Sequence, residues 1–546
     1  MKRFMCLLAV LALLALPLLV LAEAETGAVA TAEATGEIPA GAPNVQTEHT
    51  IVDIIAAVND AVNGVVWGVP MLVLIVGTGI LLTCRTKFFQ LSHAGHVLKT
   101  TILSVFEKDS QSRDKSGKKS ISQFQALCTA LAATIGVGNI AGVAAAIAAG
   151  GPGAVFWMWV SAFFGMMTNY SENVLGIYYR RKNIHGEWSG GAMYYLRDGL
   201  GAKPGCKVIG SVLATLFACF CVLASFGIGN MSQVNTIASN MHSSFGVPPM
   251  VTGIALMILA AVVIIGGVKR IASVAEAIVP FMAIVYVLGA LVIFFINISK
   301  AGAIFGAIFS YAFGFKALGG AVIGVAIRNA VTWGFKRGVF SNEAGLGSSV
   351  MVHSASNVKE PVTQGMWGIF EVFADTIVVC TLTAFAILAS GLIDLDTGAK
   401  LTDAVDTALV AQAFSNAFGV LGGPFIAIAI LLFAFTTVLG WSFYGTKAFE
   451  YLFGTKATIG YKVVFVVFIA FGAVMKLDLA WDLSDTFNGL MALPNLIGVL
   501  ALSGTVVKIT RNYLARTFGG SKEEPMLSAF PDVQKEQAQA LGREGN

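Results

Sequence analysis

The sequence predicts an all-α polytopic membrane protein, on three observations. Of its 546 residues, 56% are hydrophobic and 12% charged, with a mean hydropathy of +0.77. A soluble chain carries about 25% charged residues. Apolar runs of about 20 residues, long enough to cross the hydrocarbon core of a bilayer, recur along the chain. Lysine and arginine gather in alternate connections between those runs, the pattern that orients a multi-spanning chain.

Residues 1–24 read as a secretory signal. Lys2-Arg3 is the charged start, Phe4 to Ala22 the apolar run, and Ala22-Glu23-Ala24 the small-residue cleavage motif. An uncleaved anchor is the competing reading. Residues 25–55, rich in Ala, Thr, Gly and Pro and without Lys or Arg, read as a disordered extracytoplasmic tail. The transmembrane domain is expected over 56–515, followed by a cytoplasmic tail at 516–546. Eleven spans are expected, at about 66–85, 124–149, 152–179, 207–230, 249–268, 276–298, 318–335, 362–391, 422–446, 459–475 and 486–507.

The connections orient these spans. The segment 85–120 is densely basic, and Arg180-Arg181-Lys182, Lys269-Arg270, Lys336-Arg337, Lys447 with Lys456, and Lys508 with Arg511 fall on its side. Opposite connections are poor in base: 231–248 has none, and Lys300, Lys400 and Lys476 stand nearly alone. That places the N-terminus outside and the C-terminus in the cytoplasm of a plasma (inner) membrane. The ten spans after the first divide into five plus five. An odd number per repeat inverts the second copy, as in many secondary transporters.

Composition also excludes chemistries. The seven cysteines and six histidines have no metal-type spacing, and the histidines fall outside the clear apolar spans. That argues against haem, an intramembrane metalloenzyme and a histidine proton relay. No nucleophile stands with a base and no GxxxxGK[ST] is present, so neither an enzyme nor an ATP-driven pump is expected. Single, non-repeated polar positions argue against a channel. No nucleic acid, organic cofactor or obligate protein partner is implied; the partners expected are the lipid bilayer and a small solute.

The stretch Thr134–Trp157, TIGVGNIAGVAAAIAAGGPGAVFW, is apolar yet holds six glycines and a proline. Glycine costs a helix about 1 kcal/mol and proline about 3 relative to alanine. Unwound backbone in hydrocarbon is tolerated only where it lines a cavity. Gly138 and Gly142 also form a GxxxG pair, which commonly serves only close helix packing. Asn139 favours a break, because a polar amide at mid-span needs a partner. A break at Thr134–Gly138 leaves carbonyls from about Ala132 to Ile135 which, with the Asn139 amide oxygen, suit a dehydrated Na⁺. It also leaves N–H groups at Gly136, Gly138 and Asn139 that suit a carboxylate.

G136-V-G-N-I140 followed by G150-G-P-G-A154 resembles the first core helix of LeuT-type sodium-coupled amino acid transporters. With GGAMYYL (190–196) and RGVFSNEAGLGSS (337–349), the chain resembles, over about 55–515, the alanine/glycine:cation symporter family. Two residues depart from that pattern: Val137 where Thr is usual, and Ala192 where Pro is usual. The resemblance implies a LeuT-like fold of eleven helices. It implies Na⁺-coupled import of a small zwitterionic amino acid, L-alanine, glycine and sometimes D-alanine, with Na⁺ as coupling ion. An H⁺- or Na⁺-coupled symporter of another small solute is the alternative.

The resemblance also implies that Thr436 and Thr437 complete a second sodium site with carbonyls of the first core helix. Back-bonding to their own helix is the plain alternative. Trp441, one turn on, either walls the substrate pocket or packs against neighbours. Glu371 and Asp375, four apart on one helical face, are intramembrane acids and functional by default. Asp375, the deeper, is a candidate for Na⁺ or the substrate ammonium, or for a structural hydrogen bond. A second broken helix is expected over 330–349, its break at Val331–Gly334 supplying carbonyls to the ammonium. Asn342 and Glu343 then belong to an inner gate or helix cap. Glu172 is expected to pair with a cytoplasmic-side base, and 188–196 to lie as an amphipathic helix at the membrane surface.

Overall fold

The computed structural model describes residues 51–107, 111–113, 120–314, 320–475 and 478–544. The expected signal segment and residues 25–50 of the expected tail lie outside these. Each of the eleven apolar stretches is helical. The first is two helices, α1 (Ile51–Val66) and α2 (Val69–Arg85). They are joined at Trp67-Gly68, where a Cβ on Gly68 would strike the Gly64 carbonyl. Thus helix replaces the expected tail from Ile51 onward. Next come the interrupted pair α3 (Gln123–Thr134) and α4 (Ala141–Gly150), then α5 (Gly153–Tyr178). A capping box starts α3: the Gln125 N–H donates to Ser122 Oγ, and the Ser122 N–H to Gln125 Oε1, both at 3.1 Å.

α6 (Lys207–Phe226) runs through a wide π-helical turn at Gly227–Met231 into α7 (Ser232–Phe245), which stops at Gly246 with φ +69°. α8 (Pro249–Ile265), α9 (Gly267–Ile296), α10 (Ala301–Ala312) and α11 (Gly320–Asn342) follow. α12 (Pro361–Val372) continues through a second π-helical turn, Phe373–Cys380, into α13 (Thr381–Ala389). A peripheral helix α14 (Asp406–Phe418) precedes α15 (Gly422–Phe453), α16 (Thr458–Val474), α17 (Asp478–Gly519) and α18 (Pro531–Glu544).

The packing follows the five-plus-five division. Counting from α3/α4, each of the first four members packs on its counterpart five places later: α4 on α11, α5 on α12, α7 on α15 and α8 on α16. The cross-pairs are reciprocal too, α6 with α17 and α15 with α9. Reciprocal pairing of that kind is what two inverted five-helix units wrapped about one axis produce.

Three sequence expectations are corrected. Lys336 and Arg337 are not in a connection but inside α11, with Lys336 Nζ 2.9 Å from Asp485 Oδ2 of α17. A pair of charges flanking an apolar run imitates a loop when its partner lies 149 residues away in sequence. Residues 188–196 are not one surface helix, since the chain becomes helical only from Ala192. Trp188-Ser189 pairs antiparallel with Arg181-Lys182, and Ala192, Met193, Tyr195 and Leu196 are buried. Glu172 pairs with no base among the described residues: it accepts from Asn495 Nδ2, deep between α5 and α17.

Small residues set the helix spacing. On α11, Gly334 and Gly338 face α5, where added Cβ atoms would meet the Ala154 carbonyl and Ser161. At Gly440 of α15 a Cβ would lie 2.7 Å from the Ala133 Cβ of α3, so these helices cross at contact distance. Gly440→Ala is therefore expected to destabilise the bundle by about 1–3 kcal/mol through overpacking. The midpoint of thermal unfolding in detergent measures this, and an unchanged midpoint would mean the crossing relaxes freely.

Candidate functional site

The second apolar stretch breaks where the glycines predict. α3 ends at Thr134, and residues 135–140 leave the α-helix, with only a single 3₁₀ turn at Val137–Asn139, before α4 begins. The last α3 bond runs from the Ile135 N–H to the Leu131 carbonyl at 2.8 Å, so the carbonyls of Ala132 to Ile135 lose their helical partners. Two side chains accept the N–H groups that the break also leaves. Asn139, fully buried, accepts the Gly136 N–H on Oδ1 at 2.9 Å, and Gln233 of α7 takes the Val137 N–H on Oε1 at 3.4 Å. The Gly136 donor is thus engaged within the break rather than presented to a carboxylate, because the Asn139 oxygen reaches it first.

Asn139 also ties the break to the rest of the bundle. Its Nδ2 donates to Asp375 Oδ1 at 2.7 Å, and Asp375 Oδ2 accepts from Ser341 Oγ at 2.8 Å and Thr376 Oγ1 at 2.7 Å. Asp375 therefore joins the first break, the end of α11 and the wide turn after α12. That turn separates the two acids read from sequence as neighbours. Glu371 Oε2 lies 2.8 Å from His353 Nε2, whose Nδ1 meets Gln364 Nε2 at 2.6 Å. His353 is fully buried, although it lies outside every apolar span in the sequence.

The hydroxyl pair also divides. Thr437 Oγ1 donates within 3.0 Å of both the Ala132 carbonyl and the Phe433 carbonyl, so it sits on the break. Thr436 Oγ1 instead bonds its own Phe433 carbonyl at 2.9 Å and lies 3.5 Å from Met282 Sδ of α9. Both hydroxyls therefore meet at the Phe433 carbonyl, and Thr437 alone also contacts α3. The carbonyls of Ala132 and Phe433 with Thr437 Oγ1 form an oxygen cluster of the kind a hard monovalent cation takes, and sequence reading missed Phe433.

The second break lies elsewhere than expected. α11 is unbroken through Val331 and Gly334 to Asn342, so neither offers a free carbonyl; Gly334 is a packing glycine. The chain leaves the helix at Glu343 (φ +56°), Gly345 (φ +94°) and Gly347 (φ +74°). Asn342 acts as the cap, accepting the Ala344 N–H at 3.0 Å. Ser348 donates to Glu343 and closes the loop.

Two cavities meet at the first break. An inner pocket of about 20 Å³, room for about one water, is lined by the expected Thr134, Gly136, Gly138 and Trp441. Glu343, Gln233, Phe340, Thr437 and Asn488 line it as well. Thr134 Oγ1 and Asn488 Oδ1 are buried without a hydrogen-bond partner among the described residues. A vestibule of about 220 Å³ lies on the α14 side of Phe340, with Val137, Gly138 and Gly142 on its wall. The Phe340 ring borders both spaces and stands 3.2 Å from where a Cβ on Gly138 would be. Gly138 and Gly142 therefore line cavity, and Gly138 also allows close approach of Phe340 and Ser341 of α11. Gln233 and Asn488 carry no local sequence signal, since only the fold brings them to the break.

Comparison with known proteins identifies the family. The model of the sodium:alanine symporter family matches residues 52–527. The sodium/alanine symporter AgcS of Methanococcus maripaludis is 48% identical over 461 residues, 84% of this chain and 97% of that protein. The amino-acid carrier protein AlsT of Bacillus subtilis is 35% identical over 442 residues, 81% of this chain and 88% of that protein. Among solved structures, that of MhsT in complex with L-phenylalanine superimposes with a TM-score of 0.49 at 13% identity, covering 72% of this chain and 99% of that one. A family match over most of the chain, a near-full-length relative at 48% identity and a helix broken at the expected glycines lead to one conclusion: this chain belongs to the sodium:alanine symporter family.

Proposed function

We propose that the protein imports small neutral amino acids, alanine and glycine first, coupled to Na⁺ by alternating access. The observation that carries this is the contact of Thr437 Oγ1 with the Ala132 carbonyl at the first break. A sodium ion would be held by the carbonyls of Ala132, Ile135 and Phe433 and by the Thr437 hydroxyl, neutral oxygen ligands that suit a hard monovalent ion. The amino acid would occupy the inner pocket, enlarged from its present volume, beside Thr134, Gly136, Gly138 and Trp441. There the unpartnered oxygens of Thr134 and Asn488 offer acceptors for an ammonium. Asp375, already accepting three hydrogen bonds, holds the two breaks together rather than taking the ion. No bond is made or broken in the solute, so the work is done by the ion gradient alone.

The orientation belongs to this proposal. The vestibule lies on the base-poor side, hence outside. The opposite end is closed by Asn495 on Glu172, the His353–Glu371 pair, and Arg180 on the carbonyls of Ser354, Ser356 and Val358. This is an outward-facing arrangement with its inner pocket contracted.

Radiolabelled alanine should accumulate in proteoliposomes under an inward Na⁺ gradient and not under an H⁺ gradient alone; equal drive by H⁺ would reject sodium specificity. Thr437→Val should raise the Na⁺ concentration for half-maximal uptake about tenfold, a hydrogen-bond-sized loss, and should abolish the NaCl-dependent rise in unfolding temperature that ligand linkage predicts. An unaltered Na⁺ dependence would remove Thr437 from the site. Phe340→Ala should join the two cavities, speeding alanine exchange while loosening discrimination against larger amino acids, read by competition with leucine and phenylalanine. For topology, a cysteine at exposed Thr397 should react with a membrane-impermeant maleimide in intact spheroplasts. One at exposed Glu523 should react only after lysis.

A further inference from the structure

The vestibule contains a guanidinium that makes no ion pair among the described residues. Arg337 of α11 lines it, with its stem 3.9 Å from where a Cβ on Gly142 would stand. Its charge centre lies over the rings of Trp333 at 5.3 Å and Phe340 at 5.5 Å. Its Nε is buried without a hydrogen-bond partner, and Arg337 makes no ion pair among the described residues. The preceding Lys336 is turned away to Asp485. A rigid five-donor fork is retained at membrane depth only where water or a ligand can satisfy it.

The same cavity also holds an acid. Asp406, the first residue of α14, lines it at φ +47°, exposed and without an ion pair among the described residues. Asn235, Thr236, Asn240 and Thr407 add amides and hydroxyls to the lining, and Asn240 Nδ2 donates to Thr407 Oγ1 at 3.1 Å, tying α7 to the α14 rim. One chamber thus presents a fixed cation, a fixed anion and neutral polar groups, on a wall kept open by Gly138 and Gly142.

We infer that the vestibule is an entry site for a zwitterionic amino acid, with Arg337 taking the α-carboxylate and Asp406 the α-ammonium. This rests on the amino acid transport reading above and adds a second binding position to it. A guanidinium grips a carboxylate through two parallel hydrogen bonds. An inorganic anion would use Arg337 and find no role for Asp406. Because the Arg337 charge rests on the Phe340 ring, capture of a carboxylate competes with that stacking. It draws the guanidinium off the partition between the two cavities, so arrival of the solute favours its passage inward.

The test is equilibrium binding of radiolabelled alanine to the purified full-length protein in NaCl, together with uptake kinetics in proteoliposomes. The variants are Arg337→Gln, Arg337→Lys and Asp406→Asn. Two alanines per wild-type chain and one per Arg337→Gln chain are expected. The KM for uptake should rise about tenfold in Arg337→Gln, the scale of a lost charge-assisted hydrogen bond, with kcat nearly unchanged, Arg337→Lys falling between, and Asp406→Asn also raising KM. One alanine per chain in wild type and Arg337→Gln alike, with unchanged KM, overturns the entry site. So does chloride-dependent uptake that loses this dependence in Arg337→Gln, since it assigns the guanidinium to an inorganic anion. Should Arg337→Gln fail to fold, Asp406→Asn makes the same comparison with the arginine intact, and an unchanged KM there overturns the two-point site. Absence of alanine uptake by the wild type would instead reject the transport reading beneath it.

Discussion

The Asn139 side chain is the constraint on which the rest of the site depends. Opening a helix inside a membrane strands peptide groups, each costing several kcal/mol in hydrocarbon. One amide answers this on two sides, accepting the Gly136 N–H and donating to the Asp375 carboxylate. Without the first bond the break has an orphaned donor; without the second, the carboxylate loses a donor in a fully buried position. Asp375 carries the constraint onward through Ser341 to the end of α11, only two residues before the second interruption at Glu343. The two interruptions, about 200 residues apart in sequence, are thus held at one place by a three-residue chain of hydrogen bonds.

That arrangement divides labour between backbone and side chains. Glycine at 136 and 138 is required by approach rather than by turn geometry: a Cβ on Gly136 would collide with Thr437 Oγ1, and one on Gly138 would press on Phe340. The second interruption uses glycine differently, since Gly345 and Gly347 both have positive φ, where a side chain would be strained. The inner closure is built from buried acids and amides that satisfy one another, including Glu172 with Asn495 and Glu371 with His353. In the proposed orientation, opening toward the cytoplasm must exchange those bonds for water. On the vestibule side the Phe340 ring borders both cavities.

Sequence disclosed the fold and the first break because both rest on local, one-dimensional signals: hydropathy length, charge alternation, and glycines beside a lone amide. The hydroxyls at 436 and 437 were legible as a pair, whereas the partners each one takes depend on the rotation of α15 about its axis, which its neighbours set. The glycine pairs were legible in kind but not in role. Gly334 with Gly338 packs α11 on α5, whereas Gly138 with Gly142 lines the vestibule, Gly138 lying against Phe340 and Gly142 against the Arg337 stem. Both have the same spacing, and what differs is the residue across the interface. Gln233, Phe433, Asn488 and the His353–Glu371 pair were illegible for the same reason, since each acquires its partner only through tertiary packing.

The two halves of the first break place ion and solute on one backbone segment. Of the carbonyls freed from Ala132 to Ile135, that of Ala132 meets Thr437 of α15, while Gly136 and Gly138 line the inner pocket. In the proposed cycle, a sodium ion that fixes these carbonyls also fixes the peptide planes that border the solute. The ordering entropy is then spent once for both ligands. Coupling of this kind is reciprocal: whatever factor Na⁺ adds to the affinity for alanine, alanine must add to the affinity for Na⁺. Symport therefore needs no direct contact between ion and solute. It needs a segment that is loose when either site is empty and rigid when both are filled, and an unwound stretch held by one asparagine and one threonine has that property.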